Sequence, residues 1–147
     1  MAAGPVVRQV LKDFHGQVRL VMKYIASNEL SEQAAEAALA AWKQGRYWEM
    51  HDKLIESSPR FGREDLLRYA GQIGLDKERF AGDLDGMRHR ELIARDMRLA
   101  DKLGLFATPT FFVNGRMVVG APPYQDFKAM IEKELAGAGK PRLDAGN

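Results

Sequence analysis

The sequence predicts an α/β fold built around a small sheet, and three observations carry that prediction. An apolar, partly β-branched run, VRLVMKYI at residues 18 to 25, precedes a long helical stretch. Two further strand-like runs, TFFV and RMVVG, follow that stretch and are joined by Asn114-Gly115. Strands at both ends of a helical insertion point to a sheet with helices on it rather than to a helix bundle.

The first element is a helix opened by Gly4-Pro5, because proline has no N–H to lose in a first turn. Val6, Val7, Val10, Leu11 and Phe14 recur at helical spacing, and Gly16 is its expected stop. Residues 18 to 25 are apolar on both faces, as in a strand covered on both sides. Ser31 is the expected N-cap of an alanine-rich helix ending near Gly45. RYWEMHDKLIES then continues as a second helix or a kinked extension. Glu64 to Ile73 places Leu66, Leu67, Ala70 and Ile73 on one face, with Gly74 just beyond. Asp76 caps a short helix through Phe80 and Leu84. Met87 to Leu103 is expected as a longer helix, with Leu92, Ile93, Leu99, Ala100 and Leu103 facing inward and Gly104 ending it.

Asn-Gly accepts the positive φ angles of a two-residue hairpin turn, so Thr110 to Val113 and Arg116 to Gly120 read as one hairpin. An amphipathic helix carrying Phe127, Met130, Ile131 and Leu135 closes the fold. Residues 1–137 form the expected domain, with 29–104 as a helical insertion and 138–147 as a glycine-rich, flexible tail.

The chain has 147 residues, 46% of them hydrophobic, which suits one domain with a real core. Its net charge of +2 comes from many residues of both signs, a mixed surface rather than an electrostatic footprint for nucleic acid. No apolar run approaches bilayer length, so no membrane partner is expected. The opening MAAGPVVRQV is not a signal peptide. Zero cysteines exclude disulfides, thiolate metal sites and thiol chemistry from these residues.

The remaining chemistry-bearing residues read as structural. His15, His51 and His89 lack a second ligand at i, i+4 spacing, so no metal site is expected and each reads as a satisfied or solvent-facing ring. Trp42, Tyr47 and Trp48 could line a groove for apolar peptides, but at helical spacing they read as core. Arg88, Arg90, Arg95, Arg98 and Lys102, interrupted by Glu91, Asp96 and Asp101, read as a solvated face with pairs such as Glu91 to Arg95. There is no phosphate loop and no carboxylate couple, and no cofactor is expected. Taken alone, Pro109 reads as an ordinary trans proline opening a strand.

Three segments together, GPVVRQVLKDFHGQVRLVMKYI, QGRYWEMHDKLIE and LGLFATPTFFVNGRMVVGAPPYQDFKAMIEKEL, resemble the DsbA-like thiol-disulfide oxidoreductases of the thioredoxin superfamily. The resemblance implies a thioredoxin-like fold with a helical insertion and with its first strand missing. It implies a cis bond at Thr108-Pro109, in a loop that faces the redox cysteines and pairs its backbone with an extended substrate segment. Ala107, Thr108, Pro109 and Thr110 are thereby the candidate substrate-binding residues. The sequence departs from the family in two ways: Ala107 stands where glycine is usual, and Met1 falls about where the Cys-x-x-Cys motif has just ended.

The missing strand implies a gap, between residues 18 to 25 and the hairpin, edged by unpaired backbone groups. Buried and unpaired, such groups cost roughly 1–3 kcal/mol each. The expected remedy is a homo-oligomer, in particular a dimer that shares or exchanges elements. Two functions follow from the resemblance. The chain is a truncated oxidoreductase that lacks redox activity as given, or it is a non-catalytic module that holds extended polypeptides at the Thr-Pro loop. A purely structural oligomerisation unit is a third, weaker reading. A parent with a signal peptide places the protein in the periplasm or outside the cell, and a chain starting as given stays in the cytoplasm.

Overall fold

The computed structural model of the protein describes residues 3–137, so the expected tail at 138–147 lies outside the described residues. Its elements run α1 (Gly4–Asp13), α2 (Glu29–Trp42), α3 (Tyr47–Ser57), α4 (Arg63–Gln72), α5 (Lys77–Asp85), α6 (Arg90–Lys102), β1 (Thr110–Val113), β2 (Arg116–Val119) and α7 (Tyr124–Gly137). They fall into two compact units. One holds the described residues up to Val21 and those from Leu105 onward; the other runs from Met22 to Gly104.

The first unit is a hairpin backed by two helices. β1 and β2 pair antiparallel, with Thr110 opposite Val119 and Val113 opposite Arg116. The turn between them takes positive φ at both Asn114 (49°) and Gly115 (87°), as a two-residue hairpin requires. Side chains alternate across a strand, so Phe111 and Val113 face one way and Phe112 the other. The first face joins Val10 and Phe14 of α1 and Phe127 and Ile131 of α7 in one apolar cluster. Phe111 meets Phe127 edge to face, with centroids 4.8 Å apart.

The run at 18 to 25, expected as a strand, forms none. Val18 and Leu20 are half-buried while Arg19 and Val21 are exposed, the alternation of a strand with one covered face. What fails is the pairing. A strand is defined by hydrogen bonds to a neighbour, and among the described residues β1 and β2 pair only with each other.

The second unit is helical. α2 lies at its centre, with every residue from Ala35 to Ala41 buried. Its alanines let other helices approach closely, around a core that includes Met50, Leu66, Tyr69 and Phe80. Asn28, not Ser31, is the N-cap: its Oδ1 accepts from the Ser31 N–H, and Ser31 Oγ accepts in return from the Asn28 N–H. Ser31 thus sits three residues inside, as the second half of a capping box. Asp76 does cap α5, accepting from the Arg79 N–H.

Three other expectations are corrected. Trp42, read as core, is 62% exposed at the C-terminal end of α2. The helix expected from Met87 begins at Arg90, since Met87 takes φ 44°, outside the helical region. Leu99 on α6 and Leu103 at its C-cap are exposed, and the buried stripe runs Ile93, Asp96, Ala100. The polar Asp96 holds that stripe because its carboxylate is satisfied there.

Candidate functional site

Ala107, Thr108 and Pro109 are exposed, and Thr110 is half-buried at the head of β1. The Thr108–Pro109 peptide bond is cis, as is Ser58–Pro59. Thr110 Oγ donates to the Ala107 carbonyl at 2.6 Å, drawing the loop back on itself. The Gly120 N–H donates to the Pro109 carbonyl at 2.8 Å, tying the loop to the end of the hairpin. Phe106, which precedes the loop, is 97% exposed. Sequence reasoning did not single it out, because an aromatic beside strands ordinarily packs inward.

The hairpin register decides which backbone groups are free. Residues flanking a two-residue turn exchange both hydrogen bonds, and the pattern then alternates. Val113 and Phe111 therefore bond to β2, while the N–H and C=O groups of Thr110 and Phe112 point to the other edge. Beside Phe111 to Asn114 lies a groove of about 320 Å³. Its far wall is residues 17–21, and its floor includes Val10, Phe127, Ile131 and Leu135. Among the described residues, Arg19, Leu20 and Val21 make no backbone–backbone hydrogen bond.

The titratable groups divide into structural pairs. Glu36 and His89 are 1% and 8% exposed. Both Glu36 oxygens accept from the His89 backbone N–H at 3.1 Å, and Oε2 lies 2.9 Å from Nδ1. Nδ1 is thus the ring nitrogen that meets the carboxylate. Nε2 is left without a partner among the described residues. Asp96, 3% exposed, accepts from Lys23 Nζ at 2.6 Å and from the Tyr24 N–H at 3.3 Å. Burial pushes the Tyr24 and Tyr47 hydroxyls above the usual tyrosine range, with further upward pressure on Tyr24 from Tyr47. These partnerships join residues far apart in sequence, and no local spacing signals them.

His15 is exposed, and His51 is half-buried beside Asp52, in edge contact with Trp48. Arg88, Arg90, Arg95, Arg98 and Lys102 are exposed as expected, but Asp96 does not belong to their solvated face. Among the described residues no three His, Asp or Glu side chains are grouped to hold a metal ion, and no helix is long and apolar enough to cross a membrane.

A hairpin headed by an exposed Thr-Pro loop and backed by two helices, with a helical unit inserted ahead of it, defines a thioredoxin-like protein of the α/β class. Residues 5–132 match the profile of the DSBA-like thioredoxin domain, and the chain belongs to that family. It is 39% identical over 139 residues to Na(+)/H(+) antiporter NhaA 3 of Salinispora tropica, covering 92% of this chain and 21% of the antiporter. It is 32% identical over 124 residues to Disulfide bond formation protein D of Bacillus subtilis, covering 73% of this chain and 52% of that protein. The chain thus spans about a fifth of the length of the antiporter relative.

Two solved structures share the fold. The thiol-disulfide exchange protein α-DsbA2 of Wolbachia pipientis superposes with a TM-score of 0.78 at 20% identity, over 89% of this chain and 72% of that one. A thioredoxin-like oxidoreductase of Silicibacter pomeroyi gives a TM-score of 0.73 at 33% identity, over 89% of this chain and 78% of that one. Against this background the salient chemical fact is that the chain carries the family's fold and has no cysteine.

Proposed function

We propose that these 147 residues are the client-presenting scaffold of a DsbA-like thiol-disulfide oxidoreductase, N-terminally short of the strand and Cys-x-x-Cys segment. Thiol-disulfide exchange needs a thiolate to attack a sulfur, and no cysteine supplies one, so the chain alone does not oxidise dithiols. What remains is the holding function. An extended client segment lies against Ala107, Thr108, Pro109 and Thr110, pairing its backbone with the loop by strand addition. The observation that carries this reading is the exposure of Ala107–Pro109 at the head of β1. Phe106, exposed beside the loop, offers an apolar contact for a client side chain.

The test has two arms. Incubated with a reduced dithiol peptide, the chain gives no oxidation above a buffer control. In calorimetry, an extended blocked peptide binds, and Pro109→Ala or Phe106→Ser weakens it. Robust dithiol oxidation by these residues overturns the first half of the proposal. Binding indifferent to both substitutions overturns the second.

A second reading, a non-catalytic peptide-binding module, shares the same loop. The coding sequence upstream separates the two. An in-frame strand and Cys-x-x-Cys supports the oxidoreductase, and an in-frame stop supports the module.

A further inference from the structure

The chain holds seven methionines and no cysteine, so all of its sulfur is thioether. A thioether reacts with an oxidant that can reach it. Met50 is fully buried, Met87, Met97 and Met130 are half-buried, and Met22 is 38% exposed. Met117, at 56%, is the most exposed methionine among the described residues. We propose that Met117 is a site of reversible oxidation by peroxides, and that its sulfoxide loosens the hairpin. In the step, the thioether sulfur attacks one oxygen of hydrogen peroxide, forms an S–O bond and breaks the O–O bond. The other oxygen leaves as water, taking up the proton of the transferred oxygen, so sulfur loses two electrons and the peroxide gains them. A sulfoxide reductase drawing on a dithiol reverses the change: the sulfoxide oxygen leaves as water and the dithiol becomes a disulfide.

Met117 is singled out by its place in the hairpin as well as by its exposure. Its cross-strand partner is Phe112, itself 46% exposed. The neighbouring pair, Val113 and Arg116, flanks the two-residue turn and is hydrogen-bonded, so Phe112 and Met117 form a non-hydrogen-bonded pair. Side chains lie closest in such a pair, and a thioether against an aromatic ring is a favourable contact. Oxidation puts a polar, chiral S=O group there. Thr110 and Val119 continue the same outer face, and none of the four side chains carries a charge to meet the new dipole.

The same register turns the N–H and C=O of Met117 toward the free edge of β2, which pairs only with β1 among the described residues. That edge is open to the backbone of a reductase. Met22 lies in neither a helix nor a strand, so its oxidation disturbs no ladder. β2 runs into Gly120, whose N–H holds the Pro109 carbonyl, so loosening the hairpin also loosens that tie. None of this depends on client binding at the Thr-Pro loop.

The experiment treats the full chain with hydrogen peroxide, follows each methionine by peptide mass mapping, and reads amide hydrogen exchange on the oxidised product. Met117 is expected to oxidise about threefold faster than Met22 and about tenfold or more faster than Met50. Exchange at Phe111, Val113, Arg116 and Val118, the amides bonded across the hairpin, is expected to quicken about threefold or more. Methionine sulfoxide reductases of both epimer specificities, supplied with a dithiol, restore the slow exchange. Met117→Leu, apolar and of similar size, keeps slow hairpin exchange before and after peroxide. Oxidation of Met117 no faster than that of Met22, hairpin exchange unchanged in the oxidised chain, the same quickening in peroxide-treated Met117→Leu, or no recovery with the reductases each overturns the proposal.

Discussion

The Tyr124 hydroxyl donates to Asp13 Oδ2 at 2.6 Å, joining residues 111 positions apart in sequence. Asp13 ends α1 and Tyr124 begins α7, so the bond clasps the two helices that back the hairpin. Gln9, one turn earlier on α1, donates to the same carboxylate. Together these donors hold the Asp13 carboxyl below the usual carboxylate range, with Tyr124 the larger cause.

That shift has a definite sign with pH. A carboxyl with a lowered folded-state pKa stabilises the fold once it is ionised. The contribution is complete above the unfolded-state value of about 3.9 and fades as pH falls through the lower, folded one. Tyr124→Phe removes the main donor, so the Asp13 titration midpoint moves up toward the ordinary value when followed by NMR. An unmoved midpoint means that the bond does not form in solution.

Glu36→Ala removes the acceptor of the buried His89 N–H and the partner of its ring Nδ1, and is expected to cost about 3 kcal/mol. Glu36→Gln keeps one carbonyl oxygen and is expected to cost roughly half as much. Urea unfolding at constant m-value measures both. A loss under about 1 kcal/mol for Glu36→Ala shows that the pair is not the buried anchor its geometry describes.

Phe80 is fully buried, and Trp42 is 62% exposed. Truncating each to alanine therefore gives losses of very different size. Phe80→Ala opens a cavity and costs about 3–5 kcal/mol. Trp42→Ala costs less than about 1 kcal/mol. Equal costs in thermal or urea melts contradict the placement of either side chain.

Gly115 takes φ 87°, and an added Cβ would meet nothing within 4 Å. Gly115→Ala thus tests backbone conformation alone. It is expected to lower stability by about 1–2 kcal/mol, the cost of left-handed backbone for a residue with a Cβ. Amide exchange should quicken first in the hairpin, before α3 or α4.

The sequence by itself determined the elements whose signals are local. Asn114-Gly115 specified the turn and with it the register of β1 and β2. Asp76 specified the start of α5, and the spacing of Leu66 and Ala70 specified the buried face of α4. The Thr-Pro run and its neighbours also specified the family, because a motif is a sequence property. Tertiary structure alone decided what depends on a partner distant in the chain. Residues 18 to 21 carry a strand's alternation and form no strand, since pairing needs a neighbour that local pattern cannot supply. Asp96 is buried in place of a leucine because Lys23 and Tyr24 reach it. His89 is enclosed because Glu36, 53 residues away, accepts a hydrogen bond from its backbone N–H and meets its ring Nδ1. Hydrophobic periodicity ranks residues by their own solvation, whereas the burial of a charge is settled by the group that meets it.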